Sequence, residues 1–100
     1  MFARVMHIQA KPGKLDDVVA MYWESVAPAL RTQEGFQSTF LLTDPGNDKG
    51  LSVTVWKSAT ARAASAASAG FLQQVGKVAP LLAGLPVGED MVMDSAGPSF

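Results

Sequence analysis

His7 is the single histidine in this chain of 100 residues. Its ordinary pKa, about 6.5, would let it take or give a proton near neutrality. It sits between Met6 and Ile8 in an apolar run, which allows two roles: a general base, or a hydrogen-bonded strand residue at a subunit interface. Strand alternation puts His7 beside Ala3 and Val5 and opposite Met6, so the interface role is the expected one. The chain has no cysteine, which excludes disulfides, thiolate nucleophiles and Cys-based metal sites. Asp16 and Asp17 are adjacent, and neighbours on a helix diverge by about 100°, so they suit the positive end of a helix dipole better than a metal. No metal-spaced cluster, phosphate-binding glycine loop or nucleophile elbow is present. Neither a metal nor a cofactor is expected.

Aromatic residues are the other candidates. Tyr22, Trp23, Phe40 and Trp56 can line an apolar cleft between a sheet and its helices, the kind of pocket a flat aromatic ligand prefers. Core packing is the alternative, and for Tyr22 and Phe40 it is the better one. Trp23, at the edge of its helix stripe, is the residue expected to meet a ligand or partner.

The elements that would position these residues follow from periodicity. Phe2 to Ala10 is strand-like and stops at Lys11-Pro12-Gly13, a turn. Leu15, Val18, Val19, Tyr22, Val26 and Leu30 then recur at helical spacing, with Pro28 expected to bend or end the helix. Phe36 to Thr43 is a second strand, with Phe36, Phe40 and Leu42 on one face, and Asp44 to Asp48 a loop. Leu51 to Trp56 alternates as a third strand, forming a hairpin with the second. Ser58 or Thr60 can cap a helix from Ala59 to Ala69, with Arg62 on its solvated side and Gly70 as its interruption. Phe71, Val75, Val78 and Leu82 continue the helical pattern. Met91-Val92-Met93, within Glu89 to Asp94, is a short fourth strand.

The order β-α-β-β-α-β predicts an α+β ferredoxin-like fold, a four-stranded antiparallel sheet with two helices on one face. One domain is expected over residues 1–95, with a short polar tail at 96–100. The other sheet face would carry Ala3, Val5, Leu51, Val53 and Val55. That is more apolar surface than a soluble monomer usually exposes, so a homodimer is expected. The charge content agrees, because 17% of residues are charged against roughly 25% in ordinary domains. A net charge of −1 without a basic cluster argues against nucleic acid and anionic membranes. No apolar run reaches the roughly 20 residues a bilayer needs. A cytoplasmic location is the default expectation.

Four segments together resemble antibiotic biosynthesis monooxygenase domains: Arg4-Val5, Lys11-Pro12-Gly13-Lys14-Leu15, Gln33-Glu34-Gly35-Phe36 and Val53-Thr54-Val55-Trp56-Lys57-Ser58. The resemblance implies a dimeric α+β barrel. Similar domains include cofactor-free quinol and anthrone oxygenases as well as haem-degrading oxygenases. The haem-degrading branch uses an Asn on the first strand with a Trp and a His on the second helix, and those places hold Met6, Ser65 and Val75 here. Haem degradation is therefore not expected. The quinol-oxygenase branch usually carries histidines on its second helix, whereas Ala61 to Gly76 has none. The resemblance also makes Met6 a pocket position. Two functions stay open: a cofactor-independent monooxygenase acting on a small flat phenolic or quinol substrate, and a non-catalytic dimeric module that binds a small apolar ligand or a protein partner.

Overall fold

The computed structural model describes residues 1–94; residue 95 and the tail assigned to 96–100 lie outside the described residues. Strand β1 (Phe2–Gln9) leads through Pro12 and Gly13, whose φ is +76°, into a continuous helical path. That path comprises α1 (Leu15–Met21), a π-helical turn (Tyr22–Val26) and α2 (Ala27–Arg31). Strand β2 (Phe36–Asp44), a short turn at Pro45–Asn47 and β3 (Lys49–Trp56) form the hairpin. Helices α3 (Ala59–Ala66) and α4 (Ala69–Val78) follow, then a turn at Ala79–Leu81 and β4 (Val87–Val92). All pairings are antiparallel and the sheet order is β2-β3-β1-β4, the ferredoxin-like arrangement expected from the element order.

Pro28 does not end the first helix. The wide turn ahead of it changes the bonding pattern, with the Ala27 N–H reaching the Tyr22 carbonyl, so Pro28 falls in the first turn of α2. There its missing N–H costs nothing. Gly70 does not interrupt the second helical region either. The break comes at Ala67 and Ser68, where the Ser68 hydroxyl accepts from the Phe71 N–H at 3.0 Å and so starts α4. Ser58 does the same for α3 through the Ala61 N–H. Gly35 has φ +81°, and a Cβ there would stand 2.5 Å from the Ala61 Cβ. Its bare backbone is what lets α3 approach the start of β2.

Register fixes the two sheet faces. Phe2, Arg4, Met6 and Ile8 pair with Trp56, Thr54, Ser52 and Gly50 toward the helices. A bulge between Phe36 and Ser38 moves the rest of β2 by one residue. Phe36 therefore shares the helix side with Trp56, while Phe40 and Leu42 pair with Val53 and Leu51 on the opposite side. Simple alternation puts Phe36 and Phe40 on the same face; the added residue in the bulge separates them. β4 begins at Val87, two residues earlier than expected, because β1 is long enough to pair with it from His7 back to Phe2. The helix-free face carries exposed Phe40, Leu42, Val87 and Met91, together with half-buried Val5, Leu51 and Val53.

Candidate functional site

Between the helix-facing side of the sheet and the two helical layers lies a cavity of about 90 Å³. The sheet supplies Arg4, Met6, Ser52, Thr54 and Trp56, the first helical path supplies Tyr22 and Leu30, and α3 and α4 supply Arg62, Ser65, Phe71 and Val75. Gly88 stands opposite Met6, where a Cβ would come within 2.9 Å of its sulfur. The missing side chain leaves the thioether its place over the sheet. Trp56 is 2% exposed and meets Phe36 edge-on, with ring centroids 5.8 Å apart. This contact anchors one end of the cavity floor.

Of the residues singled out from sequence, Met6, Tyr22 and Trp56 come together on this cavity, as do Ser65 and Val75. Trp23 and Phe40 do not. Trp23 is 44% exposed and packs edge-on against Tyr22 from outside. Phe40 is 53% exposed on the helix-free face, carried there by the β2 bulge. His7 is on that same face, its Nε2 2.7 Å from Glu89 Oε1, and does not line the cavity.

The cavity wall is mostly apolar, with a polar edge. The Tyr22 hydroxyl bonds the Thr39 hydroxyl, and Thr39 in turn lies 3.4 Å from that of Thr54. Ser25 donates to the Gln74 side chain at 2.7 Å, tying the π-helical turn to α4. Among the described residues, no histidine, aspartate or glutamate lines the cavity. Two arginines do, Arg4 and Arg62, neither of which stands out as a cavity residue from sequence pattern alone. Arg62 was expected to face solvent. Instead its side chain is 15% exposed and lies across the β1 and β4 backbones, donating from Nη1 to the Met91 carbonyl at 2.8 Å and to the Ala3 carbonyl at 3.4 Å. For Arg4 a signal was present, since alternation with Phe2 and Met6 points it to the helix side.

A second, wider hollow of about 610 Å³ opens on the other side of α3, bordered by Gln33, Glu34, Gly35, Lys57 and Thr60. Buried Ser65 borders both spaces. Among the described residues, no group of three or more His, Cys, Asp or Glu is placed to hold a metal ion, and no helix is long and apolar enough to cross a membrane.

The sequence model of the antibiotic biosynthesis monooxygenase family matches residues 1–77. No curated protein matches the chain. Solved structures match in fold. SnoaB, a cofactor-independent oxygenase from Streptomyces nogalater, seen in a mutant form, aligns with TM-score 0.80 at 16% identity over 98% of this chain and 97% of its own. A protein of unknown function from Nitrosomonas europaea gives TM-score 0.80 at 18% identity, covering 99% and 94% of the two chains. Rv0793 from Mycobacterium tuberculosis gives 0.75 at 18%, covering 96% and 98%.

Proposed function

The chain belongs to the antibiotic biosynthesis monooxygenase family, and from that premise we propose that it is a homodimeric, cofactor-independent oxygenase for a small flat phenol or quinol. The observation that carries this reading is the cavity between sheet and helices, walled by Met6, Tyr22, Trp56 and Phe71. SnoaB, a cofactor-independent oxygenase, shares the fold. The chemistry asks little of the protein. A substrate anion gives one electron to dioxygen, and the carbon radical and superoxide couple to a peroxide. The peroxide anion takes up one proton, matching the one the substrate lost on ionising, and loss of water then leaves a carbonyl that holds one oxygen atom, the other departing in the water. Desolvation, positioning and stabilisation of the anion are the protein's share.

The wall sets two conditions. With no imidazole or side-chain carboxylate in the lining among the described residues, the substrate must arrive ionised or lose its proton to water. At about 90 Å³ the cavity is smaller than the engineered apolar cavity of about 150 Å³ that takes up benzene, so a ring must displace part of the wall. Helix α4 is the part suited to move. It presents Phe71, Gln74, Val75 and Val78 to the cavity, yet none of its residues is buried. Met6, unbranched and adaptable, can yield as well.

Homodimerisation is the companion proposal, supported by the exposed apolar face that carries Phe40, Leu42, Val87 and Met91. A cytoplasmic location remains an expectation of the same kind.

A second reading, a non-catalytic binding module, is favoured by the missing acid–base residue in the lining. Oxygen uptake with 1,8-dihydroxyanthrone separates the two. The oxygenase reading expects saturable uptake above the buffer rate; saturable binding of the anthrone without uptake would establish the module instead. His7→Ala is the paired control. Because His7 faces away from the cavity, the variant is expected to keep its oxygen uptake within about twofold. Its pair with Glu89 is half exposed on both sides in the single chain and lies on the face proposed to be covered in the dimer, so the oligomeric state of the variant is read alongside its uptake. A loss of about 10²-fold in uptake with the dimer intact would make His7 the base after all.

A further inference from the structure

We infer that Arg4 and Arg62 form an oxyanion-binding subsite at one end of the cavity, so that the ligand is a flat ring system bearing a phenolate or carboxylate oxygen. The inference rests on the reading of that cavity as the ligand site and adds the class of ligand.

Both arginines line the cavity and are largely withdrawn from water, their side chains 17% and 15% exposed. They share one acidic partner. Arg4 donates from Nε at 2.9 Å and from Nη2 at 2.8 Å to the same oxygen, Asp90 Oδ1. Arg62 Nε stands 3.7 Å from that oxygen, buried and without a hydrogen bond. Asp90 itself does not line the cavity and is 47% exposed. Two cations therefore face one carboxylate, and among the described residues no other charged side chain borders the space. Glu89, the neighbouring acid on β4, is turned to the other sheet face and held by His7.

A buried guanidinium with an idle donor is costly to keep unless something completes it. Arg62 is also tethered, its Nη1 bonded to the Met91 and Ala3 carbonyls and its Cζ 5.6 Å from the centre of the Phe2 ring. What remains unpaired is Nε, which faces Asp90. A ligand oxyanion there would take a charge-assisted hydrogen bond and bring the local charge from +1 to zero. In the unliganded protein Asp90 is the stand-in for that anion.

The test titrates the dimeric protein with 1-naphthoate and with its neutral planar counterpart 1-naphthamide, followed by ligand fluorescence. The expected result is naphthoate binding at least about tenfold more tightly, with that preference falling toward unity in Arg62→Gln while naphthamide affinity holds. Asp90→Asn, which removes the competing carboxylate and leaves both arginines, should tighten naphthoate several-fold, and it serves as the second variant if Arg62→Gln does not fold. A parallel titration with 1-naphthol below and above its ionisation separates phenolate from carboxylate as the preferred oxyanion. Equal affinity for naphthoate and naphthamide in the wild-type protein would overturn the subsite and leave the cavity reading standing. Failure of every ring compound to bind would overturn the cavity reading itself.

Discussion

Replacing Trp56 with alanine is expected to destabilise the domain by about 3–5 kcal/mol, the cost of deleting a fully buried indole and leaving a cavity behind. For a chain of this length each kcal/mol moves Tm by roughly 4–8 °C, so thermal unfolding should begin well over ten degrees earlier. The size of the effect follows from position. Trp56 is 2% exposed, ends the central strand β3, pairs in register with both Phe2 and Phe36, and closes the cavity floor. Few packing neighbours can relax into the space of an indole while also holding three strands. Calorimetry or circular dichroism reads the result. A Tm within a few degrees of wild type would mean that the strand end and the cavity floor collapse onto the gap.

The second large effect is on assembly. The helix-free sheet face exposes Phe40 at 53%, Leu42 at 54% and Met91 at 47%, around half-buried Val5, Leu51 and Val53. In a two-fold dimer built on this face, one substitution acts twice. Phe40→Asp puts two carboxylates into an apolar contact, where each loses its hydration without gaining a partner. At a well-packed centre such a change costs at least about 2 kcal/mol, a weakening of the dimer by more than about thirtyfold. Sedimentation velocity at micromolar concentration should show wild type as a dimer and Phe40→Asp shifted to a 10.5 kDa monomer. A wild-type monomer, or a variant that dimerises as well as wild type, would remove this face as the interface.

How far the sequence could lead is clearest residue by residue. The strands, the Pro-Gly turn and the order of elements were legible because alternation and helical spacing are local and each is backed by turn chemistry. His7 on the face away from Met6 was legible for the same reason. Phe40 was misplaced because a single added residue in β2 reverses every side chain beyond it, and nothing between Phe36 and Phe40 marks where that residue lies. Gly70 drew attention as a helix breaker, yet Ser68, two residues earlier, sets the boundary by capping the next helix. Arg62 was hidden for a different reason. Whether an arginine on an Ala-rich helix faces water or the core depends on what lies beneath it, and its partners Ala3, Asp90 and Met91 are brought there only by the sheet. Pairings this distant leave no periodic trace in the chain.

The claim that the cavity between sheet and helices is where dioxygen meets the substrate is tested most directly by filling it. Ser65 is 6% exposed and borders the cavity from α3, so Ser65→Leu would put a branched side chain into the space a ring must occupy. Oxygen uptake with 1,8-dihydroxyanthrone is the measurement, made on wild type and on a Ser65→Leu protein shown to be folded and of the same oligomeric state. Wild type is expected to show saturable uptake, and the variant a loss of at least about tenfold. Uptake by wild type that is unchanged when the cavity is filled would contradict that claim and place the reaction elsewhere on the molecule.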